Sequence, residues 1–250
     1  MSHSAEIKLV KYFITGIMLF VLFVPVISQE VNVPNRYKQD EYAIHFGFCL
    51  GLNMMNFKVT PDLSSYRKDS LMPSVTNPSP GFNIQIISNY RLGEYLDLRF
   101  LPGIAFGQRT LDYYNNKGLL VNSKHQLESN YLEFPLLLKY KAKRKTNIRP
   151  YVVTGLNCRY DLAHNYNEDQ QVYLDLKRFG YYYEVGSGID FYLEFFKLSV
   201  ELKFSYGFND ILKRRSNIPN DDGSGINPHS FQNAIQRLGS TLTMLSFHFE

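Results

Sequence analysis

Along most of the chain, apolar and polar positions alternate with a period of two, and the stretch Glu128–Tyr160 shows this most plainly. Leu132, Phe134, Leu136, Leu138 and Tyr140 fall on one side, while Tyr131, Glu133, Pro135 and Lys139 fall on the other. After a short basic turn, Val152, Leu156 and Tyr160 oppose Gly155, Asn157 and Arg159. Such alternation sends successive side chains to opposite faces of a sheet. The same pattern predicts strands over 42–53, 81–90, 95–111, 180–191, 197–208 and 236–249, which with the hairpin makes eight. In the first of these, Ile44, Phe46, Phe48, Leu50 and Leu52 oppose His45, Gly47, Cys49, Gly51 and Asn53.

The connections alternate in length. Residues 54–80, 112–126, 161–179 and 209–235 are long and read as loops; the first holds four prolines with many Ser, Asn and Asp, and the third is rich in Asn, Asp and Gln. Between them lie short turns at 91–94, 141–147 and around Glu194. This is the signature of an up-and-down barrel of the outer membrane, with short periplasmic turns and long extracellular loops. Several strands also reach the roughly 9–11 residues that a tilted spanning strand needs. The predicted fold is therefore all-β: an eight-stranded antiparallel up-and-down transmembrane β-barrel. A soluble lipocalin-like barrel would place the same apolar side inward, and alternation alone does not separate the two. Tyr90, Tyr95, Tyr113, Tyr131, Tyr140, Tyr151, Tyr160, Tyr192 and Tyr206 gather near strand ends. Interfacial aromatic girdles explain that placement, although ordinary β-propensity also favours Tyr. Together with the loop asymmetry, it favours the membrane version.

The first segment is different in kind. Lys8 and Lys11 precede the apolar run 12–27, which ends in small residues, so 1–28 reads as a secretory signal peptide. Residues 29–41 form a polar periplasmic leader and 42–250 the barrel. Removing Glu6, Lys8 and Lys11 with the signal changes the net charge from +4 to +3, too mild and dispersed for nucleic acid. Of the two cysteines, Cys49 and Cys158, strand parity puts each on its own face. That argues against a bridge, and two free, buried thiols are expected.

With lipid outside, the lumen collects His45, Asn83, Gln85, Asp97, Arg99, Arg109, Glu133, Lys139, Asn157, Arg159, Glu184, Asp190, Glu201 and Lys203. An eight-stranded barrel is just wide enough for side chains to fill, and buried charges must be partnered. A closed salt-bridge network is expected, centred on Arg99, Glu133, Glu184 and Arg159, with Glu201 and Lys203 taking part. A water-filled channel lined by the same charges is the alternative. Nucleophilic catalysis would need a Ser with a base in reach and an orienting acid. His45 beside Ser or Glu of adjacent strands is the one candidate, and no motif marks it. Neither catalytic residues, a cofactor nor a metal is expected, and the segment 221–225 lacks the ligand spacing of a calcium loop. The basic turn 141–145 fits a solvated turn or a surface for an acidic partner. Pro135 removes a ladder donor from a strand with neighbours on both sides, so a bulge or broken rung is expected there.

The segment 129–140, SNYLEFPLLLKY, followed by a basic turn and PYVVTG at 150–155, resembles the PorT family of outer-membrane barrels of Bacteroidetes. The resemblance spans roughly residues 40–250, and YLEFPLLLKY also occurs in a broader set of barrels from these bacteria. It implies a non-enzymatic component of the type IX secretion system, which exports proteases and adhesins. It offers no catalytic residues to carry over. The implied partners are outer-membrane lipid and other secretion proteins, with no small-molecule substrate. A general structural or adhesive barrel working through its extracellular loops is the other reading. Glu250 after Phe249 is a small departure from an aromatic-ended final strand.

Overall fold

The computed structural model describes residues 35, 42–62, 71–75, 79–115, 119–163, 174–214 and 229–250. The expected signal peptide, all of the leader but Asn35, and the segment 221–225 lie outside the described residues. The strands are β1 Ile44–Pro61, β2 Leu71–Val75, β3 Pro80–Arg91, β4 Leu96–Phe100, β5 Gly103–Asn115, β6 Leu120–Lys141, β7 Ile148–Asp161, β8 Asp175–Leu176, β9 Phe179–Tyr192, β10 Lys197–Gly207, β11 Leu212–Lys213 and β12 Ile235–Phe249, with a short helix α1 at His229–Asn233.

β1 pairs antiparallel with both β12 and β3, so the sheet closes on itself. From β12 the ring runs through β10, β9, β7 and β6 to β4 and β5, and back to β3. β4 and β5 are one barrel strand interrupted at Leu101 and Pro102. Phe100 faces Leu136 and Gly103 faces Glu133, an unchanged register across the gap. The fold is thus an eight-stranded antiparallel up-and-down barrel, which leaves no open edge in the ring.

The two faces have opposite character. Outside lie Phe46, Phe48, Leu50, Leu52, Ile84, Ile86, Leu136, Leu138, Val152, Leu156, Val185, Leu202 and Phe204, all exposed. A water-soluble protein does not present an apolar belt of this extent, so the lipocalin-like alternative is excluded. On β1 the outward apolar residues run from Ile44 to Met54. At about 3.4 Å per residue and a tilt of about 40°, ten residues rise about 26 Å, the height of a lipid-facing band.

Past that band the strands continue. β1 runs on to Pro61, and β5 and β6 form a hairpin as far as Asn115 and Leu120, where the alternation predicted loops from 54 and 112. Here the apolar positions change face. Phe57, Leu111, Tyr113 and Leu127 point inward, while Asn56, Lys58 and Thr60 point outward. Water lies on the outside at this level, so the sheet buries its apolar side as a soluble protein does. Leu174 and Leu176, Ile211 and Leu212 beside the β8–β11 pair, Phe231 of α1, and Ile235 and Leu238 pack onto those inward residues as one apolar cap. β2 extends the sheet along the outer part of β5.

Pro135 does not cause a bulge: the β6–β7 register passes through Pro135–Asn157 without a shift. The break lies on its other side, at the β4–β5 interruption. Leu101 N donates to Pro135 O at 3.1 Å, and the return bond cannot form because proline has no N–H. Both cysteines are free and face opposite sides. Cys49 is buried, but Cys158 lies half-buried on the outer face rather than in the interior. The tyrosines also divide. Tyr90, Tyr95, Tyr140 and Tyr206 are exposed at the band edges, whereas Tyr113, Tyr131, Tyr151 and Tyr192 occupy inward positions and are buried. Nearness to a strand end fixes a tyrosine's height; parity fixes its face.

Candidate functional site

The inward side chains form tiers along the barrel. Around mid-height, Glu133 on β6 and Arg159 on β7 are cross-strand neighbours. Arg159 Nε donates to Glu133 Oε1 at 2.6 Å, and Nη2 donates to Glu184 Oε1 at 2.8 Å. Lys203 Nζ lies 3.0 Å from Glu184 Oε2. Gln85 Nε2 donates to Glu133 Oε2, and Asn157 Nδ2 to Glu184 Oε1, each at 2.8 Å. The Arg159 guanidinium sits 4.2 Å from the Tyr182 ring centroid. All four charged side chains are fully buried.

Arg99 and Glu201, expected in the same cluster, belong to a second tier nearer the short turns. Arg99 Nη2 donates to Glu250 Oε1 at 2.9 Å, and Nη1 lies 3.5 Å from Glu201 Oε2 and 3.1 Å from His248 Nδ1. Lys197 Nζ completes the Glu250 clamp at 2.6 Å. Lys139 Nζ meets both Asp190 oxygens at 2.8 Å, and Ser199 Oγ donates to Oδ1 at 2.6 Å. Tyr151 fastens this tier from the side: its hydroxyl donates to Glu201 Oε2 at 2.9 Å, and the Lys139 ammonium lies 3.6 Å from its ring centroid. The ring lies across Gly188, where an added Cβ would come within 2.5 Å of Tyr151 Cζ. A glycine therefore makes the room this side chain needs.

At the turn end, Lys141 Nζ pairs with Asp97 Oδ1 at 2.6 Å. Asn89 links that pair to Arg99, donating to Asp97 at 2.9 Å and accepting from Arg99 Nε at 3.2 Å. Lys141 is thus a lumenal residue rather than part of a solvated turn. Arg144 of that turn is also engaged: it caps the Tyr192 ring at 3.6 Å and donates to the carbonyl of Asn35. Lys143 and Lys145 are the exposed cations of this turn. Toward the cap, Arg109 donates to Ser129, to Ser240 at 2.9 Å and to the Tyr131 hydroxyl at 2.5 Å. Asn83 is buried at the level of Gly51.

His45 is half-buried, with its ring edge-on to Tyr42 at 6.4 Å between centroids. Among the described residues, no group of three or more His, Cys, Asp and Glu is placed to hold a metal ion. Counted together, Arg99, Lys139, Lys141, Arg159, Lys197 and Lys203 face Asp97, Glu133, Glu184, Asp190, Glu201 and Glu250. Six cations thus meet six acids in these tiers, as burial of charge in a low-dielectric space requires, while Arg109, nearer the cap, is held by the hydroxyls of Ser129, Ser240 and Tyr131. Sequence reasoning left Lys197, His248 and Glu250, like Lys141, out of the lumenal network. Strand parity could have supplied the first two, since Lys197 and His248 share a face with Ser199 and Ser246.

Solved structures with a similar fold include OprG from Pseudomonas aeruginosa, aligned over 81% of this chain and 95% of that one at 14% identity and a TM-score of 0.45. Neisserial surface protein A aligns over 83% and 98% at 12% identity and a TM-score of 0.42. Ail from Yersinia pestis aligns over 82% and 96% at 8% identity and a TM-score of 0.34. None of the curated proteins matches the chain. Residues 28–213 match the outer membrane protein β-barrel domain family, and the chain belongs to that family and to the outer membrane in which its apolar belt is at home.

Proposed function

We propose that the protein is a non-enzymatic, PorT-like component of the type IX secretion system that works by holding protein partners at the outer membrane. The observation that carries this reading is the filled interior. Paired charges occupy the lumen through mid-height and an apolar cap closes the end with the long connections. An eight-stranded barrel filled by side chains leaves no room for a folded cargo, so its work falls to surfaces that other proteins can reach. The narrower assignment rests on the resemblance at 129–140 and 150–155. The partners are then secretion proteins and outer-membrane lipid, without cofactor, nucleic acid or small-molecule substrate. Deletion of the gene tests it: surface delivery of secreted proteases and adhesins should fail and return on complementation. Normal secretion by the deletion strain would refute the assignment.

A structural or adhesive barrel is the second reading, favoured by the tip of the β5–β6 hairpin. Leu119 and Leu120 are exposed there, and Met72 of the adjoining β2 is exposed as well. Such a barrel would leave secretion intact while its deletion weakened surface binding or envelope integrity.

A further inference from the structure

The outer face holds a feature that the lumen and the cap do not explain. It lies where the lipid-facing band gives way to polar residues, on the neighbouring strands β1, β12 and β10. Above Met54, β1 turns Asn56, Lys58 and Thr60 outward; β12 turns out Thr241, Gly239 and Arg237; β10 reaches the same height with Tyr206, followed by Phe208. The register brings these together: Lys58 is opposite Gly239, Thr60 opposite Arg237, and Tyr206 opposite Thr241. They line a cavity of about 90 Å³. Gly239 is its floor. An added Cβ there would meet only Lys58 atoms, at 3.5 Å, so the notch exists because this outward position carries no side chain.

Both cations at the notch lack a carboxylate partner among the described residues. Lys58 Nζ donates to the Tyr206 hydroxyl at 2.5 Å, and Arg237 Nη2 to the Phe208 carbonyl at 2.5 Å. Neither acceptor neutralises charge, and each cation keeps further N–H donors. The Tyr206 hydroxyl, accepting from Lys58, has its own proton to give. Asp210, near this arc, accepts from the backbone N–H groups of Leu212 and Leu238, and Asp62, past the register shift at Thr60/Pro61, donates its backbone N–H to Ala234 O at 2.9 Å. No acidic side chain lines the notch itself. Below, on the lipid side, Met54 and Phe204 flank Thr243 and Leu245 lies one outward position lower, all three apolar side chains exposed; Phe208 is exposed just beyond Tyr206.

We propose that Lys58, Arg237 and Tyr206, around the notch at Gly239, bind the phosphate of an outer-leaflet lipid headgroup whose acyl chains lie on Met54, Phe204 and Leu245. Two unpaired cations and a phenol supply the donors that a phosphate takes. Their position at the edge of the apolar band selects a lipid over a free anion, because only a lipid also covers the apolar residues beneath. Basic residues at a membrane surface are a general means of holding anionic headgroups.

The test uses the full chain refolded into uncharged detergent, with thermal unfolding read from heat-modifiable gel mobility. Diphosphoryl lipid A in mixed micelles should raise the unfolding temperature in a saturable way. An uncharged glycolipid should not, and nor should inorganic phosphate at the same total phosphate. Lys58→Gln with Arg237→Gln should weaken the lipid's apparent affinity about thirtyfold, each interfacial cation contributing about fivefold. Gly239→Val keeps both cations but closes the notch, and should weaken it at least about tenfold, the effect of losing one to two cations' worth of contact. Lys143→Gln with Lys145→Gln makes the same charge change at the opposite end and should leave affinity unaltered. Equal affinity in the Lys58/Arg237 variant, an equal loss in the Lys143/Lys145 variant, or an equal effect of inorganic phosphate would each overturn the proposal. The last would mean an adventitious anion site only.

Discussion

Arg159→Met tests whether the lumen is a packed, dry interior. The guanidinium holds Glu133 at 2.6 Å and Glu184 at 2.8 Å, with all three side chains fully buried. Removing it affects the two carboxylates unequally. Glu184 keeps Lys203 at 3.0 Å and the Asn157 amide, whereas Glu133 keeps only the Gln85 amide at 2.8 Å. A buried carboxylate stripped of its cation costs about 3–5 kcal/mol, and Glu133 should carry most of that. Converting the orphan to a neutral amide, in Glu133→Gln with Arg159→Met, should recover about 2 kcal/mol, because the residual cost is then that of imperfectly paired polar groups. The measurement is reversible urea unfolding in lipid vesicles. The chain has no Trp, so tyrosine emission and heat-modifiable gel mobility report the transition. A cost below about 1 kcal/mol for the single variant, with no recovery in the double, would refute the reasoning. That is the signature of a charge solvated by water, where a lost ion pair is worth little, and it would make the barrel a wet channel.

Two further outcomes follow from the same geometry. Purified protein in planar bilayers should pass no steady current, and a stable open level would sink the closed-lumen reading. Outward substitutions should show a depth profile: Leu50→Arg, near the middle of the β1 band, should cost about 2–4 kcal/mol in vesicle unfolding, and Met54→Arg, at its upper edge, about 0–1. Equal costs at the two positions would mean that the band is misplaced.

What the sequence made legible was whatever obeys parity. Within the lipid belt one side of each strand must be apolar and the other polar, so Leu132–Tyr140 and Glu133–Lys139 sorted themselves. Beyond the belt water replaces lipid, and the same strand must reverse its phase. Met54 faces out, but Met55 and Phe57 face in. A reading that follows one apolar face loses the strand at that reversal, which is why 54–61 and 112–115 read as loop. Parity also says nothing about which charges meet. Arg99 and Arg159 both look inward, yet β4 lies low in the barrel and the Glu133–Arg159 rung lies higher, so each recruits its own acids. The interruption at Leu101–Pro102 is the broken rung expected of Pro135, although Pro135 alone does not say on which neighbouring strand it falls. It arises because two prolines, Pro102 and Pro135, stand at adjacent rungs of paired strands.

Glu250 shows how a single rung can carry more than a motif suggests. Set aside as an extra residue behind an aromatic strand end, it makes a full backbone pair with Lys197, donating at 3.0 Å and accepting at 2.7 Å. That pairing points its fully buried carboxylate into the lumen, between Arg99 at 2.9 Å and Lys197 at 2.6 Å. Glu201 gives Arg99 only a 3.5 Å contact, so Glu250 is the stronger neutralising group for two cations at once. Glu250→Gln keeps the shape and the rung and removes only the charge. It leaves Lys197 without a carboxylate at contact distance among the described residues, and should cost about 3–5 kcal/mol in vesicle unfolding. Lys197→Met added to Glu250→Gln should recover part of this, because Arg99 retains Glu201 and the uncompensated ammonium is gone. If Glu250→Gln were neutral while Arg159→Met was costly, water would reach the turn-end tier but not the middle one, and the dry part of the plug would begin above Glu201.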